Sequence, residues 1–435
     1  PCRFRKLHTC SLPSQLTRTG CHCANHQTVD MEAPRCNCLM HFMAVVSSCL
    51  FSPALAITSK GWVSEDYFVP DFVAPQLTPP QYLIISSPKL GKIVYTPLRN
   101  FKSQTGRTYA LIDSGLAEPR GIALDRERGA LYVADPGAGR IYRYRLIVTD
   151  PGNPRKMQLA TDGVQVTIAE GVQANWVAAD ISGDVFYSDP ISKTVNRIPA
   201  MTISMLCDGE GLANDLQFVS EKQLEAASLV EAEQELSDEN LQPPSTSGSM
   251  KIYTVYEGKV NPRVSVPAGL ASDGLHLYWA NGVNAKSAGS VVRGMVKPKQ
   301  VQRTGKGGGA PMFPAMLLAN NTDAAYGVAK SSNMVLYSSN QSGVGSVYGI
   351  MDGTKHVTRF VSTLAQPRGM VWDGDQTVYV ADQAAHAVWS FPVGRVVNSA
   401  PITRSVALHG AFGVALLSQL DPGYLAAVEA GAMGL

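Results

Sequence analysis

Residues 119–143 read PRGIALDRERGALYVADPGAGRIYR. Gly121–Asp125, Leu131–Asp135 and Ile141–Tyr144 alternate β-branched or aromatic residues with small ones, as short strands do. Between them lie Asp125-Arg-Glu-Arg-Gly129 and Asp135-Pro-Gly-Ala-Gly139, whose Gly, Pro and Asp residues supply tight turns. The stretch therefore predicts three consecutive antiparallel strands.

The same unit recurs. Pro119-Arg120-Gly121 is followed by Leu131-Tyr-Val-Ala-Asp135, and Ala174-Asn175-Trp176 by Val185-Phe-Tyr-Ser-Asp189. Pro267-Ala268-Gly269 precedes Leu277-Tyr-Trp-Ala-Asn281, and Ala325-Tyr326-Gly327 precedes Leu336-Tyr-Ser-Ser-Asn340. Pro367-Arg368-Gly369 precedes Val378-Tyr-Val-Ala-Asp382. The distance from Gly (or Trp176) to the closing Asp or Asn is 14, 13, 12, 13 and 13 residues. A further copy is split between the termini: Ala411–Leu416 supplies its first strand, Tyr82–Ser87 and Gly91–Tyr95 the next two. Fourth strands are expected at Tyr109–Asp113, Val164–Ala169, Met312–Ala319, Val357–Leu364 and Ile402–Leu408. Repeats of this length with four strands each predict an all-β, six-bladed β-propeller over 81–418, closed by pairing N- and C-terminal strands so that no sheet edge is left at the seam.

These segments resemble the six-bladed propellers of the NHL, YWTD and gluconolactonase-like (SMP-30) superfamily over roughly Tyr82–Leu417: LYVAD, LYWAN and VYVAD match the YWTD/NHL strand, and PRGIALD and PRGMVWD the strand before it. The resemblance implies that residues just ahead of the innermost strands ring the mouth of a central channel. That ring is Arg120, Asn175, Ala268, Tyr326, Arg368 and Phe412. Gluconolactonase- and paraoxonase-like enzymes hold a divalent cation there with carboxylates and Asn, since a hard cation takes several oxygen ligands. Only Asn175 matches, and two positions carry arginine. The amidating-lyase relatives use metal-bound histidine, but His276, His356, His386 and His409 fall at dissimilar places in the repeat. No G-x-S-x-G or H-E-x-x-H motif occurs. Asp135, Asp189, Asn281, Asn340 and Asp382 recur at one strand end, where they are expected to accept main-chain N–H bonds rather than to form a carboxylate cluster. Tyr132, Tyr187, Trp279, Tyr337 and Tyr379 are expected to pack between blades.

Of 435 residues, 17% are charged, 39 are Gly and 27 Pro, and the formal net charge is +2. Residues 1–56 hold five Lys/Arg against two Asp/Glu, or +3, which leaves −1 for the remainder and no nucleic-acid footprint. Seven of the eight cysteines precede residue 50; Cys207 stands alone afterwards. Residues 1–30 read as translated leader or part of a longer product. From Met31, Arg35 opens a short basic region, an apolar run follows from Met40 to Phe51, and Ala54-Leu-Ala56 offers a cleavage signal. This predicts a secretory signal peptide within 1–56, too short for a membrane span, then a linker over 57–80. A competing zinc reading of Cys21-His22-Cys23, His26 and Cys36-Asn-Cys38 suffers from paired cysteines one residue apart instead of two to four. Residues 419–435 read as a C-terminal tail.

Two stretches break the rhythm. Trp176 to Gly269 spans 93 residues, the excess being an acidic insert at 201–250. There Ser220-Glu-Lys-Gln223 resembles a capping box and Leu224, Ala227, Val230 and Leu236 one helical stripe. Lys297–Pro311, with Gly307–Gly309, reads as a loop; its GKGGG lacks the strand and helix a phosphate-binding loop requires.

The expectation is a secreted or lumenal, monomeric propeller that binds a protein or a small anionic ligand without catalysis and without cofactor. Arg120, Asn175, Tyr326, Arg368 and Phe412 would form its recognition surface, because paired guanidiniums favour carboxylate or phosphate. The alternative is a calcium-dependent lactonase or arylesterase. Asn320-Asn-Thr322 and Asn340-Gln-Ser342 are glycosylation sequons in a secreted chain.

Overall fold

Six four-stranded antiparallel blades form a ring. The computed structural model describes residues 81–99, 102–103, 107–149, 158–208, 252–283, 289–298, 315–341, 343–393, 401–418 and 421–432, all within one compact unit, Ala74–Leu435. The leader, the linker, the helix expected near 220–236 and most of the 297–311 loop lie outside these residues.

Blade two comprises Ile122–Asp125, Ala130–Asp135, Arg140–Thr149 and Val166–Glu170; blade three Trp176–Ala179, Val185–Asp189, Thr194–Ile198 and Tyr253–Glu257. Blade four comprises Pro267–Ser272, His276–Asn281, Gly289–Met295 and Met316–Thr322. Blade five comprises Ala325–Lys330, Met334–Gln341, Val344–Met351 and Val357–Leu364; blade six Pro367–Trp372, Thr377–Asp382, Ala387–Pro392 and Thr403–Ala407. Blade one takes Val414–Ser418 from the C-terminal end and Gln81–Ser87, Lys92–Arg99 and Tyr109–Ile112 from the N-terminal end. Its seam is an antiparallel ladder from Gln81↔Ser418 to Ile85↔Val414.

Apolar clusters between neighbouring blades hold the ring together. Tyr132 and Tyr187 are buried between blades two and three, Trp279 between three and four, Tyr337 between four and five, Tyr379 between six and one. Inner strands approach so closely at the channel that glycine is required. A Cβ on Gly121 would lie 2.6 Å from Trp176 Cα, and one on Gly369 2.7 Å from Phe412 O; both neighbours are backbone and cannot turn aside.

Two helices decorate the ring. Helix α1, Ala200–Asp208, opens the insert; Asp184 Oδ1 accepts the Ala200 N–H at 2.9 Å, capping its start. Its Ile203 and Cys207 are buried against blades two and three, while Met201 and Met205 face solvent. Helix α2, Pro422–Ala432, occupies most of what reads as a tail. Gly423 N donates to Arg126 O at 2.6 Å, Tyr424 stacks on Tyr82 at 6.5 Å, and Ala427 and Ala430 are buried. Its small residues let a helix lie close against blade two, a pattern with too little amphipathic contrast to announce itself. Blade two's long third strand also pairs with an extra strand, Gln158–Thr161.

Candidate functional site: the channel mouth

The mouth is built by the recurrent aspartates. Asp135 accepts N–H bonds from Ala117 (2.7 Å), Glu118 (2.8 Å) and Ala138 (3.1 Å). Asp382 does the same for Ala365 (2.7 Å), Gln366 (2.8 Å) and Ala385 (3.1 Å). Asp189 accepts from Gln173, Ile191 and Ser192, and Asn281 Oδ1 from Ser265. Asp135, Asp189 and Asp382 thus tie the turn after their own strands to the segment leading into the inner strand, and Asn281 binds that leading segment. Asp135 and Asp382 thereby anchor the residues just ahead of Arg120 and Arg368.

The ring residues come together. Arg120 Nη1 donates to Asn175 Oδ1 at 2.6 Å, across blades two and three. The Arg368 guanidinium carbon lies 4.0 Å from the Tyr326 ring centroid and 5.7 Å from that of Phe412. Phe412 meets Trp176 at 5.2 Å between centroids, although they belong to blades one and three. Trp176, standing where the other blades have glycine, fills this end of the channel with Phe412; both are buried. Ala268 contributes its carbonyl, which accepts Ser188 Oγ at 2.6 Å.

The two arginines are not equivalent. Arg120 also donates through Nε (3.0 Å) and Nη2 (2.6 Å) to Glu118 Oε1, a half-exposed ion pair. Glu118 and Asn175 together absorb its charge and its donors. Arg368 donates through Nε to Gln383 Oε1 at 2.9 Å, and among the described residues no carboxylate pairs with it. Burial pushes its guanidinium below the usual arginine range and the neighbouring Arg120 charge acts the same way, opposed by Tyr326 and Asp382. A desolvated cation stacked flat on an aromatic ring keeps its fork fixed for a planar anion. The sequence did not single out Glu118 or Gln383. Their signal is positional: Glu118 sits two residues ahead of Arg120, and Gln383 one residue after the Asp382 clamp.

A divalent cation does not fit this ring. Its one side-chain oxygen donor of the amide type, Asn175 Oδ1, is taken by Arg120, and two guanidiniums oppose positive charge. Among the described residues no group of three or more His, Cys, Asp or Glu is placed to hold a metal. His276 pairs with Asp273 at 3.4 Å and His356 meets Thr358, while the His386 and His409 rings lie tilted 4.1 Å apart. Asn320 is exposed on blade four; Asn340 is half-buried and, contrary to the expectation that it accepts a main-chain N–H like Asp135, its Oδ1 is enclosed without a partner among the described residues.

No family model matches the chain, and no curated protein matches it. Solved structures do. Nidogen, in a nidogen/laminin complex, is 13% identical over 77% of this chain and 98% of that chain, with a TM-score of 0.50. A streptogramin B lyase is 11% identical over 76% and 82%, TM-score 0.40. XC5397, a gluconolactonase from Xanthomonas campestris, is 11% identical over 78% and 88%, TM-score 0.43. At these identities the likeness is one of fold, and the chain is a six-bladed β-propeller.

Proposed function

We propose that this chain is a secreted or lumenal, non-catalytic binding propeller whose channel mouth receives a carboxylate, carried by a partner protein or a small ligand. The observation that carries this reading is Arg368: a half-buried guanidinium, fixed by Gln383 and Tyr326, with no anionic partner among the described residues. Burial disfavours its charge, so an arriving carboxylate relieves a cost already present in the free protein. Two parallel N–H···O bonds from one fork suit a carboxylate, and Phe412 and Trp176 offer an apolar floor for what carries it. Arg120 orders the rim through Glu118 and Asn175 and is not the primary anchor.

Calorimetric titration with phenylacetate tests this, since the probe joins a carboxylate to an aromatic ring. Saturable millimolar binding is expected, weakened about tenfold in Arg368→Gln, as loss of a charge-assisted bond worth roughly 1.5–3 kcal/mol requires. Arg120→Gln should weaken it less. Calcium is the control: micromolar calcium binding that raises Tm and disappears in Asn175→Ala would replace this reading with the hydrolase.

A further inference from the structure

We propose a second binding site, a groove between blades four and five that takes an extended acidic peptide of a partner protein. The groove has a volume of about 710 Å³, within the roughly 300–1,000 Å³ of ligand sites. It runs along Met316–Thr322, the outermost strand of blade four, whose second edge pairs with no strand among the described residues. Seven residues at about 3.3 Å each make a trough of roughly 23 Å, long for a small molecule and suited to an extended chain.

This edge lacks the usual protection. The corresponding strands of blades two, three, five and six carry Glu170, Glu257, Arg359 and Arg404, whereas MLLANNT, like the shorter YALI of blade one, carries no charge. Charged side chains on edge strands deter pairing with other chains; here Met316 is exposed and Leu317 and Leu318 are partly so. The ladder to the third strand pairs Met316, Leu317, Ala319 and Thr322 and skips the residues between. Such a bulge leaves main-chain groups outside the regular pairing. Among the described residues Thr322 Oγ1 is buried there with no hydrogen-bond partner.

Charge selects the occupant. Arg263 stands at the mouth end, its carbonyl held by Trp279 Nε1 (3.1 Å) and Asn281 Nδ2 (2.9 Å). Lys355 stands at the opposite end, on the turn between the third and fourth strands of blade five. Both are exposed, and neither forms an ion pair among the described residues. Asp323, the one acidic residue among the described residues lining the groove, is buried. Tyr337 and Tyr348, stacked at 5.3 Å, give the middle an apolar wall. The matching ligand carries carboxylates near both ends of about seven residues and apolar side chains between. It binds by adding its main chain alongside a strand edge.

The probe is fluorescein-labelled Glu-Leu-Thr-Val-Thr-Leu-Glu, titrated by fluorescence polarisation into protein from a non-glycosylating host. Saturable binding is expected, weakened about tenfold in Arg263→Glu/Lys355→Glu, since each exposed pair contributes modestly. The same peptide with lysine at both ends should not bind. Arg368→Gln should leave binding unchanged, which separates this groove from the channel mouth. Asn320 also lines the groove, so protein glycosylated at Asn320 should lose the peptide and Asn320→Gln from the same host should regain it. Equal affinity in the double charge reversal with an unchanged Tm, equal binding of the lysine-ended peptide, or displacement by an oligonucleotide instead of unlabelled peptide would each overturn the proposal.

Discussion

Gly369→Ala probes how the ring positions its mouth. The added Cβ would lie 2.7 Å from Phe412 O and 3.0 Å from Gly413 Cα, both main-chain atoms of the neighbouring blade. No rotamer relieves that overlap, so one inner strand must move. Moving it stretches the Gly369 N–H···O Phe412 bond, now 2.8 Å, and disturbs Arg368 one residue away. Overpacking of this kind costs about 1–3 kcal/mol, and the weakened main-chain bond about 1 kcal/mol. Reduced freedom of the unfolded chain returns roughly 0.4–1 kcal/mol. The net expectation is a loss of about 1–3.6 kcal/mol, read as a lower urea midpoint with an unchanged slope, together with weaker phenylacetate binding. A variant with the wild-type midpoint and affinity would refute the argument that glycine is there for close approach.

Asp382→Ala should cost about 1.5–3 kcal/mol, because it removes the buried carboxylate that accepts the N–H groups of Ala365, Gln366 and Ala385; it should also weaken phenylacetate binding while Arg368 itself is intact. Asp180→Asn should stabilise the protein at pH 7 by about 0.5–2 kcal/mol. Burial, and secondarily the Asp184 charge, raise the Asp180 pKa against the pull of Ser182, and Oδ1 alone accepts its three bonds, so Asn keeps them. A folded-state pKa above the unfolded one makes the ionised group destabilising at neutral pH, and the gain should vanish below about pH 4, where both states bind the proton; thermal melts of the two proteins against pH check the sign. N-terminal sequencing of secreted protein should begin at Ile57, and finding residues 31–56 retained would remove the secreted assignment.

The blades were legible because two geometric demands recur around most of the ring. Inner strands crowd the channel, which calls for Gly121, Gly269, Gly327, Gly369 and Gly413, and the mouth loops need an acceptor, which calls for Asp135, Asp189, Asn281 and Asp382. The ring residues Arg120, Asn175, Tyr326, Arg368 and Phe412 were legible for the same reason, each lying at the start of an inner strand or just ahead of it. Less visible was what surrounds them. That Arg120 is neutralised by Glu118 depends on a side chain outside the repeat pattern. That Trp176 meets Phe412 depends on contact across the ring, not between neighbours in sequence. Blade three's fourth strand, Tyr253–Glu257, lies beyond the insert and out of register with its siblings. Helix α2 packs through alanine and glycine, whose pattern reads as polar-poor tail until its partner strand is known.

The most direct measurement follows the arginine side chains themselves by nitrogen-detected NMR while phenylacetate is added. The account predicts that the Arg368 Nε–H resonance, assigned by its absence in Arg368→Gln, moves saturably with the probe, while that of Arg120 stays near its starting position because Glu118 already holds it. A stationary Arg368 signal, or one that responds to calcium and not to the carboxylate, would contradict the claim that the channel mouth is an anion site.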